Sequence, residues 1–228
     1  MTGTILYSCS DFVIADKPHG IPTVPLKNRD MAGTLLALAA AECPDILSVE
    51  GRNPWEYGTL HRLDTATSGL VVFARTQKAY SYLTGIQEKD LMEKTYSALV
   101  TSGDRLRGFD RPDSKTFTIT SYFRSYGPKS REVRPVQDIK RADTPVLYTT
   151  EVTDCGDNIM HCTITRGFRH QIRAHLAWAG LPIVGDTVYG DNPSTFDSAG
   201  NPPGTLELDC FRVSFPLPDN TPFSFSKQ

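Results

Sequence analysis

His61-Arg62-Leu63-Asp64-Thr65-Ala66-Thr67-Ser68-Gly69, followed at once by Leu70-Val71-Val72-Phe73, is the stretch around which the rest of this chain is organised. The first part carries a histidine, an arginine, a carboxylate and three hydroxyls, and the second is apolar and β-prone. A reactive loop that feeds a buried strand is the expectation, and Gly69 lets the backbone turn tightly at the join. Asp64, flanked by Arg62 and by hydroxyls, is the carboxylate best placed for chemistry.

Upstream, the apolar runs Ile5 to Tyr7 and Phe12 to Ala15 read as a strand pair that ends in the loop Asp16-Lys17-Pro18-His19-Gly20-Ile21-Pro22. Thr34 caps a helix through Leu35, Leu36, Leu38 and Ala41 that Pro44 stops. Downstream, Thr76 caps a second helix with Ala79, Leu83 and Ile86 on one face. Glu93 to Val100 alternates, with Tyr96, Ala98 and Val100 on one side of a half-buried strand. Val146 to Val152 and Ile159 to Thr165 read as strands joined by a turn at Asp154 to Asn158. Arg166 to Leu176 reads as a helix ended by Gly180 and Pro182, with Arg169 and Arg173 four apart on one face. Gly185 to Gly190 is a tight turn, Asp191 to Gly204 a loop, and Leu206 to Phe215 a closing strand that is irregular near Cys210. No repeat and no sharp break in composition divides the chain, so a single domain over residues 1–228 is expected.

With 39% apolar and 22% charged residues, the chain has the composition of a soluble globular protein. No window approaches the ~18 apolar residues of a membrane span, and Met1 to Asp16 lacks the basic start and apolar core of an export signal, so a cytoplasmic location is expected. Five scattered cysteines, with no zinc or redox spacing, are expected to be reduced and mostly buried. His61, His170 and His175 form no zinc pattern and fit capping or core positions better. The net charge of −2 hides an asymmetry: residues 104–143 carry ten Lys or Arg against six Asp or Glu, and the remainder 14 against 20. With Phe117 to Tyr122, Arg124, Tyr126, Lys129, Arg131 and Arg134, this middle is a basic hairpin that could hold a polyanion.

Three separated stretches together resemble the RluA-type branch of the RNA pseudouridine synthases. His61-Arg62-Leu63-Asp64 with Thr67-Ser68-Gly69 looks like the family's catalytic loop, and Lys94-Thr95-Tyr96-Ser97-Ala98-Leu99-Val100 looks like its tyrosine strand. His170-Gln171-Ile172-Arg173 with His175-Leu176, then Gly180, Pro182-Ile183-Val184-Gly185-Asp186 and Tyr189-Gly190, is similar to its third motif. Asp16-Lys17-Pro18 plus Gly20 resembles the lead-in motif. Order and spacing extend over roughly residues 5 to 215. Two departures stand out: Gly167-Phe168-Arg169 replaces a glycine-arginine-threonine, and Leu181 stands where a histidine often precedes the proline.

The resemblance implies an α+β fold, a mostly antiparallel, bifurcated mixed sheet with flanking helices and long loops around a catalytic cleft. No separate N-terminal RNA-binding domain is expected, because the pattern begins almost at Met1. The implied reaction turns uridine into pseudouridine in ribosomal or transfer RNA after the base is flipped from its stack. It breaks the bond between ribose and the ring nitrogen, rotates the base and rejoins it through carbon 5, which calls for no cofactor or metal. Asp64 would add to base or sugar, or abstract a sugar proton; Tyr96 would stack on the flipped ring. Arg173 would pair with Asp64, since burial raises a carboxylate pKa by as much as ~3–5 units and a neighbouring cation lowers it by about 1–3. Arg62, His61, Arg169, Arg131 and Arg134 are the expected RNA contacts. RNA is the one partner called for, with no membrane or obligatory protein partner, and a monomer suffices. Two other readings are a catalytically inactive RNA-binding module and an aspartyl phosphotransferase, which wants an acid where Ala66 stands.

Overall fold

The computed structural model describes residues 4–27, 29–104, 106–190 and 204–227. In chain order its elements are β1 (Ile5–Ser8), β2 (Phe12–Lys17), α1 (Leu35–Glu42), β3 (Ser68–Ala74), α2 (Gln77–Glu88), β4 (Glu93–Leu99), β5 (Thr116–Tyr126), β6 (Glu132–Val136), β7 (Tyr148–Asp154), β8 (Ile159–Ile164), α3 (Gln171–Trp178), β9 (Leu208–Pro216) and β10 (Pro222–Ser226). They fall into two compact units, one of residues 1–92 with 209–228 and one of residues 93–208.

In the first unit β2 is antiparallel to both β1 and β3, and its last residue, Lys17, lies opposite Gly69. Every residue of β3 is buried, as its unbroken apolar run requires. β9 lies parallel to β3 at Asp209 and Cys210 and antiparallel to β10 from Arg212 on, so its change of partner falls where its alternation slips. Thr34 and Thr76 cap α1 and α2 through their hydroxyls, to the amides of Ala37 and Ala79. Tyr7, Phe12, Phe215 and Phe223 pack ring on ring, with centroids 5.0–5.6 Å apart.

In the second unit the strand order is β4-β8-β7-β5-β6, antiparallel throughout. Tyr96, Ala98 and Val100 are buried on one side as their alternation predicts. α3 packs on β6 and β7 over a core of Phe123, Val133, Tyr148, Ala174, Ala177 and Tyr189. Gly180, at φ +75°, ends the helical stretch in the left-handed conformation.

The helix over Arg166 to Leu176 requires correction, because α3 begins only at Gln171. His170 takes φ 56°, and the Phe168 ring lies 4.9 Å from that of Phe123 with 5° between their planes, which pulls the preceding segment off any helical path. Gln171 Oε1 accepts the Phe168 amide at 2.9 Å and ties the preceding loop to the first residue of the shortened helix. Arg169 therefore shares no helical face with Arg173. β10 is a strand that the sequence reading did not anticipate, and most of the loop read over 191–204 lies outside the described residues. All five cysteines are free; Cys43, Cys162 and Cys210 are buried, Cys9 is half-buried and Cys155 exposed. No described helix is long and apolar enough to cross a membrane.

Candidate active site

The loop that carries Asp64 leaves β-structure at Leu60, whose amide donates to Val72 O, and returns to it at Ser68. Inside it Asp64 O accepts the Thr67 amide at 3.0 Å, which closes a tight turn with Asp64 at its start. The loop at 17–23 holds that turn on both sides. Thr23 Oγ1 donates to Leu63 O and accepts from Leu63 N, both at 3.0 Å. The Gly20 amide donates to Thr65 O at 2.9 Å, and the His19 ring lies 2.9 Å from Ala66 O.

Lys17 completes this cradle from below. Its Nζ donates to Pro18 O (3.0 Å), Ile21 O (2.8 Å) and Thr65 O (3.1 Å), so one ammonium ties the two loops together. Three donors meet three acceptors, which is the whole capacity of the group. The side chain is fully buried, and burial pushes its pKa down to about 8 against the opposing pull of the Asp64 charge. Asp64 thus sits on a backbone fixed residue by residue, with a cation within electrostatic reach.

His61 and Arg62, expected at the RNA, flank this turn. His61 Nε2 accepts the Val72 amide at 3.3 Å. Arg62 is exposed and donates to Glu56 Oε1 at 2.9 Å.

The remaining candidates belong to the second unit. Tyr96, buried in the middle of β4, lies opposite Cys162 of β8. Arg173, buried on α3, gives Nε and Nη2 to the two carboxylate oxygens of Asp186, both at 2.8 Å. This bidentate pair fixes the plane of the guanidinium, which also lies over the Tyr189 ring with Cζ 5.4 Å from its centroid. Asp186 is itself held by the amides of Val188 (2.8 Å) and Tyr189 (3.0 Å). Burial raises the Asp186 carboxyl, but Arg173 and those two amides outweigh it and hold the group below the usual range. Burial pushes Tyr189 up to about 12, so its hydroxyl stays protonated. That hydroxyl accepts the Val133 amide at 2.8 Å and lies 3.1 Å from His170 Nδ1.

Lys17, Asp186 and Tyr189, quoted in the sequence only as parts of motifs, hold the Asp64 turn and the Arg173 side chain. Gly185-Asp186 followed by two amides that fold back on a carboxylate is the local signal for Asp186. Of the basic residues, Arg169 donates to Ser130 O at 2.5 Å, Arg134 pairs with Glu132 at 2.6 Å and Arg131 is exposed at the start of β6. His175 is a core histidine: its ring nitrogens lie 2.9 Å from Ser121 Oγ and 2.8 Å from Thr150 Oγ1.

The family model for RNA pseudouridylate synthase matches residues 11–178. Ribosomal large subunit pseudouridine synthase D of Nitrosomonas europaea is 31% identical over 198 residues, which are 85% of this chain and 52% of that protein. An uncharacterized RNA pseudouridine synthase of Chloroflexus aurantiacus is 34% identical over 180 residues, 78% of this chain and 52% of that one. The chain spans about half the length of the curated relatives it matches. Among solved structures, human RNA pseudouridylate synthase domain containing 1 superposes with a TM-score of 0.68 at 20% identity, covering 99% of this chain and 82% of the other. That likeness establishes the α+β fold. The cradled aspartate loop, the tyrosine strand and the Arg173 helix all fall within the matched residues, and the chain belongs to the RNA pseudouridylate synthase family, in its RluA-type branch.

Proposed function

We propose that this protein isomerises uridine to pseudouridine in structured RNA, with Asp64 as the catalytic carboxylate. The observation that carries the reading is the cradle: the backbone at Leu63, Thr65 and Ala66 is held by Thr23, Gly20, Lys17 and His19, so Asp64 is the one acid of the loop and is presented from a rigid turn. Preorganisation of this kind is what a carboxylate needs to meet a flipped base without reorganising. Asp64 assists cleavage of the bond between C1′ and N1; the base turns, C5 bonds to C1′, the C5 proton leaves and N1 takes up a proton, so that the product is an isomer of the substrate. Tyr96 stacks on the ring, and Arg173 has the plane of its guanidinium set by Asp186. Arg62 and His61 meet the nucleotide beside the target, while Arg131, Arg134 and Arg169 meet the RNA backbone. The protein acts as a monomer in the cytoplasm, without cofactor.

The names of the large-subunit relatives support ribosomal RNA as the first substrate to try, ahead of transfer RNA. Asp64→Ala is expected to abolish release of the C5 proton from RNA labelled at that position. Release at the wild-type rate would overturn the assignment, and a wild-type protein that binds RNA without releasing the proton would be a binding module.

A further inference from the structure

Arg124 and Arg134 are direct partners in the β5–β6 ladder, and both are exposed. Like charges directly opposite each other destabilise a sheet, and here Tyr126 and Glu132 offset that repulsion and hold both cations at the surface. Both guanidiniums lie against one ring: Cζ of Arg124 is 5.3 Å and Cζ of Arg134 4.7 Å from the centroid of Tyr126. Tyr126 stands two residues from Arg124, and its own ladder partner, Glu132, stands two from Arg134, so all four side chains leave the same face. Glu132 takes Arg134 Nη2 at 2.6 Å and Nε at 2.8 Å. The nearby Asp143 carboxylate is engaged by Ser125, through its amide at 2.8 Å and its hydroxyl at 2.6 Å. Lys129 and Arg131, exposed at the turn, extend the positive face.

The hairpin that bears this patch is anchored. Val133 and Phe123 belong to the core shared with Ala174 and Tyr189, the Val133 amide donates to the Tyr189 hydroxyl, and Arg169 grips Ser130 O at the turn. The two guanidiniums are therefore presented from a fixed strand pair, and the ring between them restricts rotamers that would otherwise be lost on binding.

The geometry points to a phosphodiester clamp: Arg124 and Arg134, braced on Tyr126, grip the backbone of the RNA. The assignment of RNA as the polyanion rests on the proposed function; the clamp itself requires no catalysis. Tyr126 is a positioning residue here, and Arg124 joins the contacts expected from the sequence.

The test is fluorescence anisotropy over a salt series with a fluorescein-labelled oligouridine and a labelled uridine-containing hairpin RNA. Arg124→Gln/Arg134→Gln should weaken binding and flatten the dependence of log affinity on log salt by roughly 1–2, since each phosphate contact contributes about 0.7–0.9. Tyr126→Leu keeps both charges and should leave that slope in place while affinity falls about fivefold, and Tyr126→Phe should restore it. Unchanged affinity and slope in the double variant would overturn the clamp, and wild-type affinity in Tyr126→Leu would overturn the brace. A wild-type protein that binds both probes but forms no pseudouridine in any RNA overturns the catalytic reading alone. Pseudouridine formed together with an unaltered salt slope overturns the clamp alone.

Discussion

Replacing Lys17 by methionine removes a fully buried ammonium from beneath the Asp64 turn. Near pH 7 the variant should be less stable by a few kcal/mol, because three carbonyls lose their donor at ~1–3 kcal/mol each against ~3 kcal/mol of relieved ionic burial. The pH dependence is more diagnostic. Burial lowers the group from 10.5 to about 8, and Asp64 opposes the shift. Between those values the unfolded chain retains a proton that the folded protein has released, so stability from this group grows as pH rises and is lost as pH falls through about 8. The full shift corresponds to ~3 kcal/mol. Urea unfolding of both proteins at about pH 7 and about pH 10 isolates it, because every other titration is common to the pair. The gap in stability should widen in favour of wild type by ~2–3 kcal/mol. A gap that does not change with pH would refute the reasoning and show that Lys17 keeps its proton throughout.

Burial also holds the His175 imidazole down to about 3, so it folds neutral. Its stabilisation is present above the ordinary value of 6.5 and lost as pH falls through about 3, ~5 kcal/mol in all; His175→Gln should flatten the acid limb of a thermal unfolding profile, and identical limbs would exclude this role. For the buried pair on α3, Arg173→Met and Asp186→Leu should each cost ~3–5 kcal/mol of unfolding stability, while the double variant should lie closer to wild type than either. Additive losses in that cycle would mean that the two side chains do not depend on each other.

Elements whose determinants are local were legible in the sequence. Thr34 and Thr76 cap as their hydroxyls require, β3 is buried along its whole length, and the alternation at Tyr96, Ala98 and Val100 sets the inner face of β4. Where tertiary contacts override local preference, the reading failed. Between Arg166 and His170 only Gly167 disfavours a helix locally, and the stacking of Phe168 on Phe123, a residue far away in the chain, fixes the non-helical path. The alternation Phe223-Ser224-Phe225-Ser226 is short and its phenylalanines are only half-buried, so β10 depends on β9 for pairing. At the site, motif and spacing marked Asp64, Tyr96 and Arg173. The partners that hold them were hidden, because the choice of Thr65 O as acceptor for Lys17 is made across 48 residues and that of Asp186 for Arg173 across 13.

The closing of the first unit around Gly69 has a consequence for the order in which the protein is made. A side chain at Gly69 would collide with the backbone of Cys210, and Ser68 Oγ donates to Asp209 Oδ1 at 2.5 Å from 141 positions away. Lys227 then bridges Asp209 and Asp16 at 2.7 and 2.9 Å. During synthesis the Asp64 loop and its cradle emerge early, yet the strand that flanks Gly69 follows only after all of residues 93–208. A contact at such sequence separation forms late. An incomplete chain therefore presents β3 with the side that β9 covers still open, and the last two strands complete the first unit.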